Sequence, residues 1–250
     1  GEFIKALGVE RVLVGFPSSG GMRQGDAIVY LGGSEERQIA LPFVEADGRV
    51  RERTLLVAEI LRSMPGYDAE IRTDMDAWLK THVALLMPGL VPALYACNTD
   101  LLHLVNTRDA LVMGIRATRE AFSVLRTLDI PITPPNLNTI FGKLPEPLLV
   151  AFLQKLLRRP QMEIALTGHA LAAPDELKHL TDEFMVLARQ SGVPTPYIDR
   201  LYAYFDPATP RMSPGHATIP MDFRSIAAGM IALAGFLGGI WLVARKLRRK

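Results

Sequence analysis

The chain changes texture at Asp74. Before that residue, short apolar runs of strand length alternate with turn residues; after it, apolar side chains recur every three to four positions over long stretches. Residues 9–16 (VERVLVGF), 26–31 (DAIVYL) and 38–44 (QIALPFV) are strand candidates, and 67–73 (YDAEIRT) is a further short one. Between them, 51–64 has a helical pattern with Leu55, Leu56, Ile60 and Leu61 on one face. From Asp74 the spacing predicts helices over 76–96, 107–128, 146–158, 161–172 and 174–191, interrupted by Pro131, Pro134 and Pro135. A last short helix follows the Gly-Pro stop in GVPTPYIDRLYAYF. The expected fold is therefore an α/β segment, 1–73, followed by an all-α domain, 74–205. Residues 206–224, rich in proline and poor in bulky apolar groups, read as a linker.

Ser225 to Ala244 carries no charge over 20 residues. As a helix that length spans roughly 30 Å, the thickness of a bilayer's hydrocarbon core. Trp241 lies near its end and Gly235 and Gly239 form a GxxxG pair, so the run is read as a C-terminal hydrophobic, transmembrane helix; a buried helix of a soluble dimer and an in-plane helix are the alternatives. Five of the last six residues are basic, a tail at 245–250 that suits anionic headgroups. Without those five the balance is 23 basic to 26 acidic residues, which argues against nucleic-acid binding by the body. The single cysteine, Cys97, allows no intrachain disulfide and is read as a small buried apolar group.

Four stretches carry a family resemblance: TDMDAWLKTHVALLMPGLVPAL from Thr73, AFSVLRTLDIPITP from Ala121, PDELKHLTDEFMVLARQSGVPTPYIDRLY from Pro174, and LGVERVLVGFPSSGGMRQGDAIVY from Leu7. In order and spacing they resemble the C-terminal portion of ketopantoate reductases, over about residues 5–205. The resemblance implies that 1–73 is the end of a Rossmann-type domain. It makes 74–205 a helical domain similar to the C-terminal domain of 6-phosphogluconate dehydrogenases. It also implies NADPH-dependent reduction of a small-molecule 2-keto acid by a homodimer.

Lys80 occupies the position matching the family lysine, which polarises or protonates the ketone oxygen. A cation suits that place because negative charge develops on the oxygen during reduction. Glu176 matches the family glutamate that holds the substrate hydroxyl, and it also suits a helix N-terminus, where acids favour the macrodipole. His169 lies near the family's small polar substrate contact and is a substrate-binding candidate. His82 points about 200° away from Lys80 on a helix and reads as structural. Asp74 and Trp78 read as a helix cap and a core anchor, and Glu120 as the partner of a nearby cation, with catalysis the lesser alternative.

Two departures bear on activity. The family's asparagines four and eight residues past the lysine are replaced by Ala84 and Pro88, which puts ketopantoate itself in doubt. No GxGxxG follows a strand anywhere in the chain, so NADP would be bound mainly by a domain this sequence lacks. GFPSSGG, with Ser18 and Ser19, is not a GxSxG elbow, and the histidine spacings give no metal site. The competing reading is a non-catalytic, membrane-tethered helical interaction or dimerisation module. Topology has two solutions. The positive-inside rule places the tail in the cytoplasm and would export the body; for a body on the cytoplasmic face of the membrane, where the nucleotide is, either the short tail crosses or the helix lies on the membrane.

Overall fold

The structure, a computed structural model, describes residues 2–223. After α1 (Glu2–Leu7) and a 3-10 turn (Val9–Arg11), β1 (Leu13–Gly15) enters a three-stranded sheet ordered β1-β4-β5. β4 (Ile39–Glu45) runs parallel to β5 (Tyr67–Ile71), with Leu41 opposite Ala69 and Phe43 opposite Ile71, and the crossover between them is α2 (Glu52–Arg62). β1 lies antiparallel on the other side of β4, Val14 opposite Val44. β2 (Gly21–Gln24) and β3 (Ala27–Tyr30) form a separate hairpin around Gly25, whose φ of 61° fits the tight turn.

This α/β segment has a small core: Phe43, Ala58 and Ala69, with Leu13, Val57, Leu61 and Ile71 packed against it. Glu45, 2% exposed, is buried beside it. Arg53 forms an ion pair with its carboxylate and Thr54 Oγ1 donates to it at 2.8 Å. The Arg53 hydrogen bond outweighs burial and holds the Glu45 carboxyl below the usual carboxylate range.

The helical part is larger. It comprises α3 (Met75–Leu86), α4 (Leu90–Ala96), α5 (Leu101–Asn106), α6 (Arg108–Thr127), α7 (Asn136–Lys143) and α8 (Glu146–Leu157). A bent stretch follows, α9 (Pro160–Met162) leading through a π turn (Glu163–Gly168) into α10 (His169–Ala172), then α11 (Pro174–Ser191) and α12 (Pro196–Tyr202). The predicted helix at 76–96 is broken at Met87–Gly89, where Pro88 cannot donate to the ladder. Gly89 there meets α6 so closely that a Cβ on it would lie 2.6 Å from the Gly114 carbonyl oxygen. The stretch Met75–Ala96 is apolar and long enough to cross a membrane, but half of it is buried within the fold.

α6 is the spine. Alanine, leucine, valine, methionine and phenylalanine side chains on nearly every face of it are buried, and α3, α4, α5, α7, α8, α11 and α12 all pack against it. α7 was not anticipated: its sequence, NLNTIFGK, is short, and Phe141 is its one buried residue.

The stretch read as a linker has neither helix nor strand over its described residues, yet it is strapped to the helical core. Met212 N donates to Ala96 O at 2.8 Å. The fully buried Asp109 accepts at one carboxylate oxygen from Thr218 N (2.6 Å), Thr218 Oγ1 (2.9 Å) and Ile219 N (3.0 Å), with His216 Nδ1 2.9 Å away. Arg116 donates to Pro220 O at 2.7 Å, and Asp222 N to Glu146 Oε1 at 2.9 Å. Backbone groups with few apolar neighbours are held here by polar partners far away in sequence, so low local hydropathy gave a misleading picture of freedom. The C-terminal run 225–244 and the tail 245–250 lie outside the described residues.

Burial opposes the charge on Asp109, but the donors from Ile219, Thr218 and His216 outweigh it and hold its carboxyl below the usual range. Replacing Asp109 with alanine strands those donors and should cost about 2–4 kcal/mol. Urea unfolding measures that loss, and trypsin should cut after Arg211 faster than in the parent. An unchanged cleavage rate would show that the strap is held by something else.

Candidate functional site

α3 carries Lys80 in its second turn. Its ammonium Nζ lies 2.6 Å from Asp76 Oδ2, one turn earlier, with the side chain 36% exposed. An acid one turn N-terminal to a base is the favourable order, but so exposed a pair contributes only about 0.3–0.5 kcal/mol. A ligand oxygen can therefore displace Asp76 at little cost. One turn further on, the face of Lys80 turns into the core, where Ala84 is fully buried.

Trp78 and His82 lie on the opposite side of the helix. Their rings are stacked, 5.2 Å between centroids, and Phe16, just after β1, closes on His82 at 4.5 Å. The aromatic trio fastens α3 to the α/β segment, and His82 is structural in this position. Asp74 stands at the N-cap but makes no side-chain capping bond. Its carboxylate instead takes Arg72 (Nη2 to Oδ2 2.8 Å) and the hydroxyl of Thr133 (2.7 Å). Thr133 N donates to Thr81 Oγ1 at 3.2 Å. The 129–135 loop is thereby pinned across the first two turns of α3.

Glu176 is in the first turn of α11, after Pro174, and its Oε2 lies 3.5 Å from His169 Nε2 on α10. Both are substantially exposed. Tyr95 of α4 donates its hydroxyl to Ala170 O at 3.0 Å, fixing α10 against the core. The structure thus brings His169 and Glu176 together, while Lys80 pairs with Asp76. No hydrogen bond or ion pair joins Lys80 to Glu176 among the described residues, although α3 and α11 pack on one another. Thr167, in the π turn two residues before His169, has a buried hydroxyl without a hydrogen-bond partner among the described residues. A buried hydroxyl of this kind is uncommon, and nothing in its sequence context set it apart.

Glu120 has a different role from the one its sequence suggested. Its carboxylate accepts from Tyr197 N (3.1 Å) and Ile198 N (3.0 Å), capping α12 from the side of α6. Burial raises its carboxyl above the ordinary range, with the two backbone bonds opposing the rise. Cys97 is buried as expected, and burial pushes its thiol up to about 11. A cavity of about 380 Å³ lies elsewhere, between α6 and α7, lined by Arg119, Arg126, Phe122 and Phe141. Arg119 there donates to the Phe141 and Leu144 carbonyls, which makes it part of the scaffold, and Lys80, His169 and Glu176 do not line the cavity.

A dinucleotide needs a glycine-rich strand-to-helix turn whose amides face the pyrophosphate. The turn from β4 to α2 has one glycine, Gly48, and is occupied by Asp47 paired with Arg51 and by Glu45 paired with Arg53. Gly33 and Gly66 are used where two backbones cross: a Cβ on Gly33 would collide with the Gly66 carbonyl. Neither that turn nor the Gly33–Gly66 crossing fits the pyrophosphate of NADP.

No protein-family model matches the sequence, and no curated protein matches it. Solved structures do. The 2-dehydropantoate 2-reductase of Geobacter metallireducens GS-15 aligns with a TM-score of 0.56 at 16% identity, covering 83% of this chain and 64% of that one. A dimeric ketopantoate reductase from Staphylococcus aureus aligns at 0.49 and 11% identity over 78% of this chain and 60% of that one, too loosely to add to the argument.

Burial lowers the His82 imidazole below its ordinary value. The folded state then holds its neutral form, so the stability it contributes is present above about pH 6.5, the unfolded value, and is lost as pH falls through the folded one. NMR titration of the imidazole should give a midpoint under 6.5; a midpoint at or above it would contradict the aromatic enclosure. Across most of the described chain, the fold is that of a 2-dehydropantoate 2-reductase.

Proposed function

We propose that this chain is the substrate-domain portion of a ketopantoate-reductase-like, NADP-dependent reductase of 2-keto acids. The observation that carries the reading is the placement of Lys80. It is a half-buried ammonium, held only by a weak pair with Asp76, on a helix that packs against the one carrying Glu176. Reduction of a 2-keto acid builds negative charge on the carbonyl oxygen, and Lys80 answers that charge and supplies a proton. Glu176 accepts the hydrogen bond of a substrate hydroxyl, and His169, 3.5 Å from it, orients that carboxylate and adds a polar contact to substrate. We assign NADP binding to polypeptide outside residues 2–223, because the β4-to-α2 turn holds a single glycine and two acids paired with arginines. With Ala84 buried and apolar, the keto acid need not be ketopantoate.

In the same reading the protein is a homodimer, and 225–244 anchors it at the cytoplasmic face of a membrane, with 245–250 against anionic headgroups. A second reading, a non-catalytic membrane-tethered interaction module, is favoured by one observation: Lys80 and Glu176 are each occupied by other partners.

Co-expressed with the polypeptide encoded directly upstream of Gly1, the chain should oxidise NADPH when given a 2-keto acid. Lys80→Ala should then lower kcat by about 10²- to 10⁴-fold with the circular dichroism spectrum unchanged. Undiminished turnover in Lys80→Ala removes the catalytic reading. A cellular phenotype insensitive to Lys80→Ala but abolished by deleting 225–250 supports the interaction module.

A further inference from the structure

α8 is exposed along one face whose residues, Leu148, Ala151, Phe152 and Lys155, fall at the i, i+3, i+4, i+7 spacing of a single helical stripe. Leu148 and Phe152 are 54% and 53% exposed, and Leu144, just before the helix, is 39% exposed. From Lys143 to Pro160 the sequence holds four cations, Lys143, Lys155, Arg158 and Arg159, and one acid, Glu146. Glu146 is 1% exposed and bound bidentately by Arg116, so it does not face the solvent on that stripe. An apolar helical face flanked by cations, with no exposed carboxylate on its own element, is the composition of a helix that lies on an anionic bilayer.

The course of the chain supplies the occupant. The strap is pinned to the start of α8 by Arg116 on Pro220 O and by Asp222 N on Glu146, and its last described residue, Phe223, is half exposed. The uncharged run begins at Ser225, after a single further cation, Arg224. The described chain therefore ends, at Phe223, close to the N-terminal end of α8 and just before that uncharged run in sequence.

We propose that the α8 stripe is a membrane-facing surface of the folded body, seating Leu144, Leu148 and Phe152 at the interface of an anionic phospholipid bilayer while Lys143 and Lys155 meet the headgroups. This rests on the reading that 225–244 enters or lies on that bilayer. The tail and the stripe together supply the two signals that stable peripheral attachment needs.

The test uses the full chain with vesicles of phosphatidylcholine, with and without phosphatidylglycerol. Flotation with vesicles reports attachment through the tail. An environment-sensitive fluorophore on Phe152→Cys reports the stripe, and one on His179→Cys, an exposed position of α11, is the control. On anionic vesicles the Phe152→Cys probe should shift to the blue and be quenched by brominated acyl chains, with the His179→Cys probe unchanged. Replacing Lys143 and Lys155 with glutamate should weaken vesicle binding by about fivefold or more for each charge. A floating protein whose Phe152→Cys probe stays in water overturns the stripe and leaves the tail's role standing. Absence of flotation overturns both. A blue shift that follows protein concentration without vesicles assigns the stripe to a second copy of the chain and overturns the lipid assignment.

Discussion

The structure depends on α6, a helix with almost no free surface. Its apolar residues fill the core on every side, and its charged residues are spent on holding distant segments in place. Asp109 gathers the backbone of 218–219; Arg116 joins Glu146, Tyr197 and Pro220; Glu120 caps α12; Arg119 binds the Phe141 and Leu144 carbonyls at the end of α7. A buried ion pair such as Arg116–Glu146 gives little net stability over a well-packed apolar pair, because both charges lose their water. What it gives here is placement. Each partner has one geometry in which its donors are satisfied, and each fixes a segment with little core of its own.

That spine sets where the candidate site is. Gly89 and Gly114 bring α4 and α6 into backbone contact, and the break at Pro88 separates α4 from α3. The second turn of α3 is consequently left at the border of the helical core, where Lys80 is half in solvent and Ala84, on the same face, is fully inside. A polar side chain at 84 would need a buried partner, and the surroundings are apolar. The departure from the asparagine pattern is thus consistent with the packing.

The helices and strands were legible because their signals are local. The 3.6-residue spacing gave the 107–128, 146–158 and 174–191 helices to within a residue or two, and the short apolar runs gave β3, β4 and β5. The strap was not legible. Nothing between Asp206 and Asp222 announces that Asp109, a hundred residues earlier, is waiting in the core. Glu120 and Asp74 were misread for the same reason: their partners, Tyr197 and Thr133, are far away in sequence, and a carboxylate on an apolar helix looks alike whether it caps, pairs or catalyses. His169 and Glu176 were proposed one by one and turn out to be neighbours. That neighbourhood depends on the π turn and the break at Ala173, which no periodicity reports.

The two halves are unequal in what they can support alone. Three buried residues make the core of the α/β segment, against a contiguous cluster that runs through every principal helix of the other half. The smaller segment compensates with charge, through the Glu45–Arg53–Thr54 cluster, and with attachment, through Phe16 on His82 and Arg72 on Asp74 and Thr133. Those attachments converge on the first two turns of α3. The residues that fasten the sheet to the helices therefore share those turns with Lys80, Trp78 and His82 lying on the opposite side of the helix from it. The aromatic trio and the Arg72–Asp74–Thr133 network are thus the contacts through which the seating of the small sheet and that of the helical half depend on one another.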